Sequence, residues 1–403
     1  MDADVLVIGA GPAGSVVGSI LARHHHRVVT LEAGTFPRFQ IGESLLPRCN
    51  DILADAGLLK AVVARGYQAK NAALFLQGPA RERFCFADVF PGQRTQTFQV
   101  PRHDFDQTLA TAARGYGVDV RFNQRVDAVE FQEAVALVSA TDVESNETTR
   151  IRARFVVDCS GYGRVLPRLL QLERPSVLTP RVALFTWVEG DKRPAGDAEG
   201  DIWICIHPRG AWGWIIPFST GRTSVGLVME PELYESVSGC DRDRLFQLLY
   251  EDGNIKERFG RAVPVLKTVK LQAWSSAVEK LHGPRWALTG NAAEFLDPVF
   301  SSGVTLALES ASRAAGLVHR FLGGESVDWD LDYDGVVLKA VGVFKAFVRS
   351  WYKGELQRVL MRPDKTDAIK RSMTAILGGY VLDNENPFVR DPERALGALL
   401  KLG

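Results

Sequence analysis

An apolar strand that runs into a glycine-rich turn, a helix and a second strand ending on an acid leaves a chain few folds to choose from. Here Asp4 to Ile8 is the apolar run, and Gly9-Ala10-Gly11-Pro12-Ala13-Gly14 follows it. A periodic apolar segment then continues through Leu21 and Ala22, Val28 to Leu31 reads as the second strand, and Glu32 closes it. Gly9 permits the tight turn, Gly11 lets a ligand approach the backbone, and Gly14 allows close helix–strand packing. Free N–H groups at the helix start suit a pyrophosphate, and Glu32 suits ribose hydroxyls. The order predicts a Rossmann-like α/β fold in which Gly9, Gly11, Ala13, Gly14 and Glu32 meet a dinucleotide. His24-His25-His26 falls where the first helix should end. Successive residues point in different directions, so the triplet makes a poor metal site and is expected to be a solvated helix terminus.

The chain has 403 residues, 46% of them hydrophobic, which excludes disorder and predicts two or three domains. Lys and Arg number 48, as do Asp and Glu, so no electrostatic argument favours nucleic acid or an acidic membrane. No apolar stretch approaches the roughly 18 residues of a membrane span. The first residues already read as strand, so no secretory signal is expected before them, and a soluble cytoplasmic protein is expected. Cys49, Cys85, Cys159, Cys205 and Cys240 form no C-x-x-C pair and are expected to be mostly small buried hydrophobes, with no metal bound.

Four further stretches occur in order: Phe36-Pro37-Arg38-Phe39-Gln40-Ile41-Gly42-Glu43-Ser44, Val100-Pro101-Arg102-His103-Asp104-Phe105-Asp106, Phe155-Val156-Val157-Asp158-Cys159-Ser160-Gly161 and Thr289-Gly290-Asn291-Ala292-Ala293. In these the chain resembles the FAD-dependent halogenases, within the hydroxybenzoate-hydroxylase-like and geranylgeranyl-reductase-like flavoproteins. The resemblance implies that Arg38, Gly42, Glu43 and Ser44 wrap FAD, that Arg102 contacts it, and that Gly161, Gly290 and Asn291 line its site. Asn291 stands where the family carries Asp; it can still donate and accept hydrogen bonds but adds no charge.

Trp212-Gly213-Trp214-Ile215-Ile216-Pro217 matches the family's W-x-W-x-I-P. Trp212 and Trp214 share one face of a strand, a pattern that also suits plain core. The resemblance implies that Trp212, Trp214 and Pro217 hinder substrate from reaching the flavin. Phe295-Leu296-Asp297-Pro298-Val299-Phe300-Ser301-Ser302-Gly303 is similar to the family's F-x-x-P-x-x-S-x-G, which implies Pro298, Ser302 and Gly303 near the flavin and halide at Ser301, Ser302 and Gly303. Phe300 takes the place of the tryptophan halogenases' catalytic Glu and joins the gating set, which leans toward phenol- or pyrrole-acting relatives. Lys70, in Gly66-Tyr67-Gln68-Ala69-Lys70-Asn71-Ala72-Ala73-Leu74-Phe75, resembles the family's catalytic lysine, with Ala72 replacing a Gly. In the family, hypohalous acid made at the flavin is hydrogen-bonded by this amine or converted to a haloamine. As a nucleophile the amine must lose its proton below its usual pKa of about 10.4, which burial favours.

The expected organisation is a hydroxybenzoate-hydroxylase-like FAD domain from residues 1–60, 100–165 and 275–322. A mixed β-sheet substrate domain spans 61–99 and 166–274, and a helical region spans 323–403. Within these, a helix is predicted over Thr305 to Phe321 and an amphipathic helix over Val336 to Leu360. The activity implied uses reduced FAD, dioxygen and chloride or bromide on an electron-rich aromatic, with a carrier-protein-tethered substrate and a separate NAD(P)H-dependent flavin reductase as partners. A monooxygenase, an ene-reductase or a non-catalytic flavoprotein on the same fold are the alternatives. His103, His207 and His282 remain unplaced as general bases.

Overall fold

The structure, a computed structural model, describes residues 2–272 and 274–401, so positions 1, 273, 402 and 403 of the expected segments lie outside it. Ala3–Ile8 is the central strand of a largely parallel sheet. Val28–Leu31 and Thr148–Asp158 flank it in parallel, Asp119–Arg121 extends one side, and Trp286–Leu288 extends the other. An antiparallel meander, Gln124–Phe131 with Ala136–Asp142, pairs onto the first half of Thr148–Asp158. The helix Pro12–Arg23 covers the glycine-turn side of this sheet and packs against the long helix Ser302–Leu322. A β-carbon added at Gly14 would stand 1.9 Å from the Gly9 carbonyl oxygen, so only hydrogen fits between turn and helix.

A second, mixed sheet runs in the order Val263–Pro264, Val182–Glu189, Thr223–Met229, Trp212–Pro217, Ile202–Ile206, Ala72–Gln77 and Ala80–Cys85. Its central strands are buried on both faces. The two-residue alternation is legible in the packing: Ile202, Ile204, Trp212, Trp214 and Ile216 face the main core, where the first sheet lies. Trp203, Cys205, Ile215, Val225 and Leu227 face the opposite way, into a smaller core beside Leu245, Leu249 and Phe259. The two tryptophans therefore share the inward face, as their spacing predicts.

The helix Thr305 to Phe321 is present and begins three residues earlier, at Ser302. Val336 to Leu360 is not one helix. Gly335–Tyr352 and Glu355–Met361 are separate, broken at Gly354, whose φ of +73° belongs to the left-handed region. Apolar periodicity carries across the break because both helices turn Phe347, Trp351, Leu356 and Leu360 into the same core. The histidine triplet ends the first helix, but it is not simply solvated. His24 stacks on His319 at 4.1 Å between ring centroids, and His26 Nε2 lies 2.9 Å from His319 Nδ1. Cys49, Cys159 and Cys205 are buried, Cys85 is half-buried and Cys240 is exposed; all five are free. No helix among the described residues is long and apolar enough to cross a membrane.

Gly14→Ala tests the turn–helix contact. The added methyl must push helix and turn apart, and we expect stability to fall by about 1–3 kcal/mol in denaturant unfolding. An unchanged midpoint would contradict the close approach.

Candidate active site

One large cavity, about 1200 Å³ counted with its open mouth, lies between the two sheets. Gly11 and Ala13 form its floor at the start of the first helix, and Arg38, Gly42, Glu43 and Ser44 form one wall. Arg102, Gly161, Gly290 and Asn291 close the cofactor side, and Pro298, Ser301 and Gly303 border it at the start of the long helix. Trp212 and Trp214 form the opposite wall, with ring centroids 5.9 Å apart.

Other expected residues stand behind these walls. Gly9 and Gly14 shape the turn from beneath, as their contact requires. Glu32 is buried, and its carboxylate accepts from the backbone N–H of Ala10 at 2.9 Å and of Gly34 at 3.2 Å, bracing the loop. Pro217 ends its strand among core residues, and Ser302 is buried in the first turn of the long helix. Phe300 packs edge-on against Phe347 and Trp351 at 6.0 and 5.9 Å, so an aromatic core fills the place of a carboxylate.

The cofactor side fits a flavin dinucleotide. Arg38 lies 3.9 Å from Glu32 and 3.8 Å from Asp106, and its buried Nε has no hydrogen-bond partner. Such a donor on a cavity wall is costly unless a ligand acceptor meets it. Arg102 is held by both oxygens of Asp106, at 2.7 and 3.0 Å, and by the Ile41 carbonyl. That clamp fixes the loop carrying Gly42 to Ser44. Together with the cradle at Gly11 and the free N–H groups of the helix start, these groups could hold the phosphates and ring system of FAD.

Lys70 ends the short strand Gln68–Lys70, which pairs with Thr97–Gln99. Its side chain is 1% exposed, and it stands behind the wall rather than on it. Nζ donates to Ser44 Oγ at 2.9 Å and to the Leu45 carbonyl at 2.8 Å, and the Phe86 ring lies 5.4 Å away. Burial among these groups lowers its pKa from the ordinary lysine value to about 7. Ser44 thus touches both the cavity and the amine.

Glu43, next in the chain to Ser44, points the other way. Its Oε1 accepts from Trp187 Nε1 at 2.7 Å, and burial pushes its pKa up to about 7 against hydrogen bonds from Ser224 and Trp187 and the nearby Arg102. Asp297, fully buried before Pro298, accepts from Tyr352 at 2.8 Å and from the Val299 N–H at 3.0 Å, and burial raises its pKa to about 6. Trp187, Ser224, Asp297 and Tyr352 carry no sequence signal that separates them from ordinary core and loop positions. Among the unplaced histidines, His207 is buried against the Leu248 carbonyl and His282 lies beside Asp330, both away from the cavity walls.

A family model for an FAD binding domain matches residues 2–334. The chain belongs to that family. A solved flavoprotein/dehydrogenase from Cytophaga hutchinsonii is 41% identical, with a TM-score of 0.96 over 99% of this chain and 98% of its own. The myxobacterial chondrochloren halogenase CndH is 28% identical, with a TM-score of 0.79 over 99% of this chain and 96% of its own. A 1H-pyrrole-2-carbonyl-[peptidyl-carrier protein] brominase of Pseudoalteromonas luteoviolacea is 29% identical over 81% of this chain and 79% of its own length. A tryptophan 2-halogenase of Chondromyces crocatus is 32% identical over 80% of this chain, which spans 62% of that relative. The chain is an FAD-dependent enzyme grouped with the flavin-dependent halogenases, a class whose co-substrates are halide and dioxygen.

Gly226 makes room for Trp214: a β-carbon there would stand 2.2 Å from the indole Cζ2. Gly226→Ala is expected to displace that ring, lowering stability by about 1–3 kcal/mol and shifting tryptophan emission. Unaltered emission and stability would contradict the placement of the indole over Gly226.

Proposed function

We propose that the protein halogenates an electron-rich aromatic, a phenol or pyrrole presented on a carrier protein, with Lys70 as the residue that delivers the halogen. Reduced FAD, replenished by a separate NAD(P)H-dependent flavin reductase, supplies with dioxygen the oxidation of chloride or bromide to hypohalous acid. Arg38, Arg102 and the Gly11 cradle hold the cofactor, with Gly161, Gly290 and Asn291 beside it. Gly303, at the N-terminal end of the long helix, offers its N–H to the halide, with Ser301, whose own N–H is held by the Pro298 carbonyl, beside it and Ser302 behind them. Trp212 and Trp214 keep an aryl substrate out of the cofactor space, so the oxidant leaves by the Ser44 side.

The single observation that carries this reading is the Lys70–Ser44 hydrogen bond, which joins a buried amine to the cavity wall. A lysine with a pKa of about 7 is substantially neutral at neutral pH, so its lone pair can attack the electrophilic halogen. In that step the N–X bond forms, the X–O bond breaks, and the amine proton leaves with hydroxide as water. The ring then takes the halogen from nitrogen, loses its own proton and restores the amine. Phe300 places no carboxylate against the substrate, consistent with a ring activated by its own hydroxyl or nitrogen. The carrier-linked substrate is supported by the pyrrolyl-carrier brominase relative.

A second reading, halide-independent oxidoreduction in the same cavity, is favoured by the name of the Cytophaga relative. Purified protein with a flavin reductase, NADH, oxygen and bromide, offered phenols and pyrrolyl-loaded carrier, separates the two by mass spectrometry. We expect bromine in the product, its yield lowered about 100-fold or more in Lys70→Ala with FAD still bound. The rate should rise as pH increases through about 7, because the amine must be neutral, and Glu43→Gln should keep that rise. A product carrying oxygen without halogen, or full bromination by Lys70→Ala, would overturn the proposal.

A further inference from the structure

Each tryptophan of the cavity wall donates to a hydroxyl that stands next to a buried carboxyl. Trp214 Nε1 donates to Ser224 Oγ at 3.2 Å, and Ser224 stands beside the buried Glu43 carboxyl. Trp212 Nε1 donates to the Tyr352 hydroxyl at 3.1 Å, and that hydroxyl donates to Asp297 Oδ2 at 2.8 Å. The carboxyls come from the cofactor side of the cavity. Glu43 lies in its wall loop, and Asp297 stands in the turn that leads to the long helix. The indoles and Ser224 belong to the second sheet, and Tyr352 ends the helix Gly335–Tyr352.

A buried indole N–H requires one acceptor, and a backbone carbonyl would satisfy it. Here both acceptors are hydroxyls, and the proton of the Tyr352 hydroxyl is committed to the Asp297 carboxyl. The remaining contacts of the two carboxyls are also fixed: Glu43 accepts from Trp187, and Asp297 from the Val299 N–H. The Arg181 guanidinium lies 4.2 Å from the centre of the Tyr352 ring, holding the second bridge from above. In the chain Trp212, Tyr352, Asp297 the direction of one hydrogen bond determines the next.

We infer that Asp297 is a positioning residue that orients Trp212 through Tyr352, while Ser224 holds Trp214 from within its own sheet, so that the wall facing the cofactor keeps one geometry. The orientation itself follows from the hydrogen bonds. Its consequence rests on the function proposed above: a fixed indole wall leaves the Ser44–Lys70 side as the exit for hypohalous acid, and a loosened wall leaks it.

The test uses full-length, FAD-loaded protein and two variants that each delete only a hydroxyl, Ser224→Ala and Tyr352→Phe. Hydrogen exchange of the tryptophan indole N–H groups is read by NMR on protein with 15N-labelled tryptophan, assigned by single Trp→Phe variants. Ser224→Ala should speed exchange at Trp214 by about tenfold or more and spare Trp212, and Tyr352→Phe should do the reverse. Adding Asp297→Asn to Tyr352→Phe should change Trp212 exchange no further, because the two act through one bridge. A second readout traps freely diffusing hypobromous acid with monochlorodimedone. Its share of the oxidising equivalents should rise at least about threefold in each hydroxyl variant, with FAD affinity unchanged. Exchange that does not respond, or that rises equally at both indoles in either variant, would overturn the positioning roles even if halogenation is confirmed. Altered exchange without added leakage would overturn the consequence. If wild-type protein brominates nothing, the exchange data still decide the positioning claim, and only the proposed function falls.

Discussion

The contact between the first glycine turn and the helix that follows it is the constraint on which the rest depends. With no side chain at Gly14, the helix start lies directly on the turn, and its N–H groups face the cavity floor. Glu32 braces the same loop by accepting from Ala10 and Gly34. A few tenths of an ångström of separation here would open the cradle, since packed interiors have no slack to absorb it. The floor of the cavity is therefore set by sterics before any charge is considered.

The wall opposite that floor is set by a pair of neighbours in an extended segment. Adjacent residues of such a segment point to opposite sides. Ser44 faces Lys70, and Glu43 faces Trp187 and the tryptophan wall. Arg102, clamped by Asp106, holds the Ile41 carbonyl and so fixes where both residues begin. One loop thereby connects the cofactor space to the amine on one side and to the indole wall on the other. The two carboxyls near that wall and the amine on the other side titrate near neutrality because burial penalises their charged forms, not because like charges crowd them.

What could be read beforehand was what local chemistry enforces. The strand, turn, helix, strand and acid declare themselves because each glycine answers a steric demand within a few residues of itself. The shared face of Trp212 and Trp214 follows from the two-residue period of a strand. The tryptophan anchors were not legible, because Glu43 meets Trp187 across 144 positions and Tyr352 meets Asp297 across 55. Nothing in the neighbourhood of Tyr352 distinguishes a bridging hydroxyl from another aromatic of a core helix. The break at Gly354 was hidden for a related reason: both helices face one core, so hydrophobic periodicity passed over the turn. Lys70 was legible as a residue but not as a position, since its place behind Ser44 depends on pairing between two three-residue strands.

If the buried amine of Lys70 takes the halogen that leaves the cavity past Ser44, turnover with bromide must mark that residue. The most direct measurement is peptide mapping by mass spectrometry of protein turned over with bromide, reduced FAD and oxygen in the absence of any aromatic substrate, then quenched cold. We expect a bromine isotope doublet on the peptide that contains Lys70, lost when an aromatic substrate is added before the quench. An unmodified Lys70, with bromine or oxidation distributed over exposed side chains instead, would contradict it.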